Sequence, residues 1–358
     1  MKKRWPLILL IALLVIGYIV VVWNWYMGLP EKPRPTVPAA TTAATTAVTT
    51  QTTAAPTTAA PTTQPETQAT TAPETEPTTE PTTVPTTEAP LIPADDHKIH
   101  GTAAFVYDLT NEKLLYTKGD QTAQVAPASL TKLLTALMVL EHLDPERVIT
   151  ADVETSWAAA GSSVAAVYPG NQLTVEMLLQ GMLMQSGNDA AYVLAVAIGK
   201  QIAGDKHMES VDAYAVFLEA LEQKRQALGL EGSAFLNPDG YDQSGHYSTP
   251  ADLMKLAILA AKEPLICKYS SMHRQHVVYV SGQDYVWENT NKLLDPNSPY
   301  YCEEAFGLKT GSTEGAAYCL IAAFERDGRT LLVGVLGCLG PLYRFEDALY
   351  LYNHYIAQ

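Results

Sequence analysis

Hydrophobic and polar positions divide the chain into three stretches of different character. Residues 7–22 are apolar almost throughout. Residues 30–93 are Thr, Ala and Pro with scattered Glu, and no apolar position recurs there at the spacing of a helix or a strand. From about residue 98 onward both periods appear in turn, over a length sufficient to bury a core of its own.

In this last stretch, residues 102–119 read as two strands joined at Thr110-Asn111. Residues 129–143 carry apolar side chains at helical spacing, with Pro127 just ahead of the start. Residues 173–185 and 190–202 read as two further helices flanking Ser186-Gly187-Asn188. Another helix covers 210–228 and ends at Gly229; the next covers 250–261, opened by Thr249 as its cap. Strand-like runs follow at 276–280, 317–325 and 330–336, the last two joined by the turn Arg326-Asp327-Gly328. Residues 344–357 close the chain as a helix with apolar spacing. Strands, a block of helices, more strands and a terminal helix predict an α+β fold. The first and last strands are expected to share one antiparallel sheet, with the helical block packed on one side.

The N-terminal run begins after Met1-Lys2-Lys3-Arg4 and is bracketed by Trp5 and by Trp23, Trp25 and Tyr26. Basic residues on one side and aromatics at both ends mark a single-pass membrane anchor. With its flanks the run reaches the roughly 20 residues of a span. A cleaved signal peptide is the rival reading. The bulky Val20-Val21-Val22-Trp23 offers no small-residue cleavage site, which favours a retained anchor. On either reading the remainder is exported. The expected organisation is a cytoplasmic tip and anchor over residues 1–29, a Thr/Pro stalk over 30–97 that cannot bury surface, and a globular domain over 98–358.

A formal net charge of −15 argues against nucleic acid or an anionic membrane surface as a partner. Cys267, Cys302, Cys319 and Cys338 match no zinc-site spacing, and disulfides and buried free thiols are equal readings in an exported domain. His273 and His276 lack a third ligand nearby and read as solvated loop histidines, so neither a metal nor a cofactor is expected.

The candidate chemistry starts in Ala126-Pro-Ala-Ser-Leu-Thr-Lys132, where Lys132 follows Ser129 by three positions inside an apolar segment. Residues at i and i+3 share a helix face. A hydroxyl beside a desolvated amine is a nucleophile next to its base, and the helix start offers free N–H groups for an oxyanion. Alone, Ser-x-x-Lys is weak, and a helix start with a snorkelling lysine is the simpler reading. Two further triplets change that weight. Ser186-Gly187-Asn188 lies between helices, where a short turn can aim both polar side chains into a cleft. Lys309-Thr310-Gly311 precedes an apolar strand, where Gly311 lets a ligand approach the strand edge closely. Tyr107-Asp108 and 241–246 are further candidates to line a cleft, with ordinary strand and loop positions an equal reading.

In this order the three triplets match the Ser-x-x-Lys, Ser-x-Asn and Lys-Thr-Gly set of penicillin-binding proteins and serine β-lactamases. The chain resembles the low-molecular-mass penicillin-binding proteins that act as serine D-alanyl-D-alanine carboxypeptidases. The resemblance spans residues 102–340 and extends to the segments at 127–141, 186–191, 235–257, 289–294 and 309–320. It implies the penicillin-binding-protein fold, an antiparallel sheet packed with a helical subdomain. It implies a substrate, the peptidoglycan stem peptide ending in D-Ala-D-Ala, and β-lactams as covalent inhibitors. It also implies roles. Ser129 would be the nucleophile, Lys132 the base and Ser186 the proton relay. Asn188 would orient Lys132 and the substrate amide, and Lys309 would supply the field of the site. Thr310 and Thr313 would grip the substrate carboxylate, and the N–H groups of Ser129 and Ser312 would form the oxyanion hole. Asn188 and Ser186 would bond Lys132, and Lys309 would depress its pKa further by like charge. Where many relatives have Ala-Gly-Tyr, this chain has Ala316-Ala317-Tyr318, which is expected to shift strand packing slightly.

A β-lactamase is the nearest rival, but its Glu-x-x-Leu-Asn stretch is not met: Ser233 stands where the glutamate would precede Leu236-Asn237. A D,D-endopeptidase of the same family shares all three triplets. A surface wall-binding or β-lactam-sensing module is the non-enzymatic alternative, though a pure binder has no need of both Ser129 and Lys132.

Overall fold

The computed structural model describes residues 91–358. The expected anchor, and the expected stalk as far as residue 90, lie outside the described residues. Among the described residues no helix is long and apolar enough to cross a membrane.

The strands are β1 (Ala103–Asp108), β2 (Lys113–Lys118), β3 (Val148–Thr150), β4 (Gln172–Thr174), β5 (Arg274–Val278), β6 (Asp284–Glu288), β7 (Ala305–Thr313), β8 (Ala317–Arg326) and β9 (Arg329–Cys338). The helices are α1 (Lys132–His142), α2 (Val175–Met184), α3 (Asn188–Ala203), α4 (Ser210–Ala227), α5 (Pro250–Ala260), α6 (Pro264–Ser270) and α7 (Tyr343–Ile356). Five strands form one antiparallel sheet in the order β2-β1-β9-β8-β7. The first and last strands do meet, β1 on β9, as their patterns predict. Asp327 and Gly328, both at positive φ, close the β8–β9 hairpin, the geometry that a two-residue turn between twisted strands requires.

The central strands are buried on both faces, which sharpens the expected layering. On β8, Cys319, Ile321 and Ala323 face a core shared with Leu130, Leu133 and Leu134 of the first helical segment. The alternate residues Leu320, Ala322 and Phe324 face a second core made with Phe345, Leu351, Tyr352 and Tyr355 of α7. The helical block therefore covers one face, as expected, and the terminal helix covers the other. Phe324 stacks on Tyr352 at a centroid distance of 4.2 Å. The first described residues also lie along α7: Ala94 N–H donates to Tyr355 Oη at 2.9 Å, and Gly101 N–H to Asp347 Oδ2 at 2.8 Å.

Two strands add to the expected layout. The run at 276–280 does not join the main sheet; β5 pairs with β6 as a separate hairpin. The Lys309-Thr310-Gly311 triplet precedes the apolar strand β8, as expected, and itself lies on a strand that the sequence did not announce, the edge strand β7. Lys, Thr, Gly and Ser break the apolar signal there, and the pairing with β8 supplies what local propensity lacks.

The separate hairpin has a positioning task. Trp287 Nε1–H and the Tyr279 hydroxyl both donate to the carbonyl of Ala165, at 3.0 and 2.9 Å, and so fix the loop that leads into β4. Replacing Trp287 by Ala is expected to destabilise the domain by about 3–5 kcal/mol, the usual cost of deleting a buried aromatic, read by denaturant unfolding. The Ala317 substitution also acquires a physical meaning. Its φ is +52°, a left-handed conformation in which a Cβ is disfavoured. The expected packing shift is thus a conformational cost, and Ala317→Gly should raise stability by about 1 kcal/mol in the same assay.

Candidate active site

Ser129 lies in a 3₁₀ turn, Ala128–Thr131, that runs directly into α1. Ala128, just before it, has φ +47°, strain of a kind concentrated where a side chain must be aimed. The turn is wedged between two neighbours that leave no room for a larger backbone. Gly240 has φ +82°, and a Cβ there would sit 1.7 Å from the Ala128 carbonyl oxygen. Gly311 on β7 faces the same turn: a Cβ would meet that of Ala128 at 3.2 Å. The small residue of the Lys-Thr-Gly triplet therefore admits the nucleophile turn rather than a ligand.

Lys132 is fully buried at the start of α1. Its Nζ lies 3.0 Å from Ser129 Oγ, 2.7 Å from Asn188 Oδ1 and 2.7 Å from the main-chain oxygen of Asp239. The last two atoms can only accept, so they fix two of the amine hydrogens. The remaining position on nitrogen points at Ser129. In the neutral amine that position is the lone pair, ready to take the hydroxyl proton.

Burial is the principal cause that brings the Lys132 pKa down, to about 8, while the carboxylates of Asp239 and Asp189 oppose it. Like charge from Lys309 is not what lowers it, contrary to the expectation from sequence. Burial first, and then Lys132 and Arg344, hold Lys309 itself well below an ordinary lysine.

The other expected residues converge with corrections. Asn188 opens α3 and reaches Lys132 as expected. Ser186 is buried in the α2–α3 turn at φ +59°, but it is not a hydrogen-bond partner of Lys132; the Asp239 carbonyl takes that place. Lys309 Nζ donates to the Thr310 carbonyl at 3.1 Å. The Thr310 hydroxyl pairs with that of Thr290 at 2.6 Å. The Thr313 hydroxyl donates to Asp242 Oδ1 at 2.7 Å and accepts from the Ala316 N–H at 3.1 Å. Ser129, Asn188, Ser312 and Thr313 line an open cleft of about 330 Å³, with Asp239, Gly240, Tyr241 and Asp242. Lys132, Ser186, Lys309 and Thr310 stand buried behind it.

Asp189 and Arg344 escaped the sequence reading, and Asp242, read there only as a candidate to line the cleft, has a definite task. Asp242 ties the loop after Gly240 to the end of β7 and the turn beyond, through Thr313 and the Gly315 N–H at 2.8 Å. Asp189 fixes the opposite wall: its carboxylate accepts from the N–H groups of Ala165, Val167 and Ala190, each at 2.8 Å. Arg344 of α7 reaches the Gly311 and Cys319 carbonyls at 3.1 and 3.3 Å. In sequence, Asn237-Pro238-Asp239-Gly240 signals a turn and nothing more. Of the cleft candidates, Tyr241 and Asp242 line the cleft. Asp108 instead pairs with Arg329 at 2.8 Å, and its carboxyl is held below the usual range by hydrogen bonds against the opposing effect of burial.

His273 and His276 turn to different carboxylates, Asp295 and Asp284. Among the described residues no group of three His, Cys, Asp or Glu side chains is placed to hold a metal ion. The four cysteines are free thiols, which resolves the open choice between thiols and disulfides.

Comparison with known proteins places this geometry. Residues 86–339 match the model of peptidase family S11, D-alanyl-D-alanine carboxypeptidase. D-alanyl-D-alanine carboxypeptidase DacF of Bacillus subtilis is 31% identical over 68% of this chain and 58% of its own length. The D-alanyl-D-alanine carboxypeptidase of Streptomyces sp. strain K15 is 32% identical over 67% of this chain and 81% of its own. The chain thus spans less than two thirds of the Bacillus subtilis relative and most of the Streptomyces one. The crystal structure of the Streptomyces K15 DD-transpeptidase superposes with a TM-score of 0.66 at 29% identity, over 73% of this chain and 98% of that one. Penicillin-binding protein D2 of Listeria monocytogenes, solved in its ampicillin-bound form, gives 0.58 at 28% identity over 72% and 97%. The fold is that of the penicillin-binding DD-peptidases, and the chain belongs to the D-alanyl-D-alanine carboxypeptidase family.

Proposed function

We propose that this chain is a serine D-alanyl-D-alanine carboxypeptidase, which removes the terminal D-alanine from peptidoglycan stem peptides and is acylated by β-lactams. The observation that carries the reading is the enclosed Lys132 with two acceptor-only partners and Ser129 Oγ at 3.0 Å. In this reading neutral Lys132 takes the Ser129 proton as Oγ bonds to the carbonyl carbon of the penultimate D-alanine. The N–H groups of Ser129 and Ser312 hold the oxyanion. The tetrahedral adduct collapses as the C–N bond breaks, and the terminal D-alanine leaves as its amine after taking up a proton through Lys132 and Ser186. Water then attacks the ester, gives up a proton to the same base, and releases Ser129.

The substrate lies along β7, whose outer edge has no neighbouring strand among the described residues and so offers backbone groups to an extended peptide. The half-buried guanidinium of Arg344, hydrogen-bonded to the Gly311 carbonyl of that strand, supplies positive charge that favours the terminal carboxylate at its end. In this structure the Thr310 and Thr313 hydroxyls are engaged by Thr290 and Asp242. Gripping the substrate carboxylate requires each to exchange that partner for the ligand. The anchor and stalk of residues 1–97 would tether the domain outside the cell membrane, within reach of the wall.

A second reading has specific support: the Streptomyces relative bears the name of a transpeptidase in its solved structure. The same acyl-enzyme would there pass to an amine instead of water. Incubating the full chain with a peptide ending in D-Ala-D-Ala, with and without an amine acceptor, separates the two. D-alanine release that needs no acceptor and disappears in Ser129→Ala supports the carboxypeptidase; release only with acceptor supports the transferase. No release under either condition would sink both.

Two further outcomes follow from the amine. Lys132→Ala should slow acylation by penicillin by about 10³-fold, the usual weight of a positioned base, with the fold retained by circular dichroism. In the parent, the acylation rate should rise with pH through a midpoint of about 8, because only the deprotonated amine accepts a proton.

A further inference from the structure

The loop that supplies the third partner of Lys132 carries a second feature, and the proposed reaction does not use it. Asp239 is 1% exposed. Its Oδ1 accepts the Tyr241 N–H at 3.1 Å, closing a turn on itself. Its Oδ2 is buried and makes no hydrogen bond. Such an oxygen is costly to enclose, and the turn needs only the other one. An asparagine or serine would close the same turn without a charge. The position of the carboxylate, in the residue whose own main-chain oxygen holds Lys132 Nζ at 2.7 Å, suggests what the charge is for.

We infer that Asp239 is a positioning residue for the base: its carbonyl holds Lys132 in place, and its buried carboxylate sets the pH at which Lys132 becomes free to accept the Ser129 proton. The inference rests on the reading of Lys132 as the base. The geometry makes the effect selective. Besides Asp239, the charges around Lys132 on packed elements are Asp189 at the start of α3, which also favours its protonated form, and Lys309 on β7, itself next to Arg344 of α7. Asp189 spends its carboxylate on three main-chain N–H groups, which bind its charge to the cleft wall. Tyr214 of α4 faces Asp239, and its phenol is pushed upward, first by burial and then by that carboxylate, so it stays neutral. Asp239 is thus the carboxylate with an uncommitted oxygen. It is also the carboxylate that most favours a proton on Lys132, against the burial that removes it. Burial raises the proton affinity of Asp239 itself, and Lys132 counters this, so the two groups share one titration.

The test is the pH dependence of acylation by a fluorescent penicillin in the parent and in Asp239→Asn, Asp239→Ser and Asp242→Asn, all in the full chain. Removing the Asp239 charge frees Lys132 of its proton at lower pH. The midpoint of the acid limb should therefore fall by about one pH unit in both Asp239 variants, which near neutral pH is an increase of about five-fold relative to each variant's own plateau. The midpoint does not depend on plateau height, so a general loss of activity does not imitate the effect. Asp242 lies at the cleft surface and should leave the midpoint in place. An unmoved midpoint in the Asp239 variants, or an equal shift in Asp242→Asn, would overturn the inference. Failure of the parent itself to acylate would overturn the reading of the base instead.

Discussion

An amine enclosed in an apolar interior is the constraint on which this structure turns. Lys132 has no exposed surface. Taking an ammonium out of water costs several kcal/mol unless partners replace the water, so the protein must either pair it or let it lose its proton. It does some of each. Two oxygens that can only accept hold the nitrogen, two buried carboxylates oppose the loss of charge, and burial prevails enough to bring its pKa to about 8. The result is a base that is available close to neutrality and oriented on one hydroxyl.

The partners come from parts of the chain far apart in sequence, and the fold exists to bring them together. The 3₁₀ turn and α1 supply Ser129 and Lys132, the start of α3 supplies Asn188, and the loop near Gly240 supplies the Asp239 carbonyl. The edge strand β7 supports the turn from the sheet side, and α7 braces β7 from behind through Arg344. The positive φ values at Ala128 and Ser186 fall at the two turns that aim the catalytic triplets, which is where stored strain is tolerated because the surrounding core over-determines it.

The main elements were legible in sequence because their signals are local. Thr249 before an apolar-spaced run, and Asp327-Gly328 between two apolar strands, each specify a cap or a turn that the structure contains. The hidden elements lack such signals. β3 and β4 are three residues each, and β7 carries the polar Lys309, Thr310 and Ser312 in a strand that pairing alone sustains. The site divides the same way. The three triplets were readable as a set, because their chemistry resides in side chains at fixed spacing. The Asp239 contact to Lys132 is made by a main-chain oxygen, which no residue type announces. Asp189, Asp242 and Arg344 act only through proximity that folding creates.

The central claim, that Ser129 is a nucleophile activated by an enclosed lysine, is tested most directly by intact mass. The chain is incubated with a penicillin, followed over time, and the modified peptide is mapped. The account predicts one adduct per chain, located on Ser129, absent from Ser129→Ala, and formed faster as pH rises through about 8. An unmodified chain with the penicillin intact, or an adduct on any other residue, would contradict it.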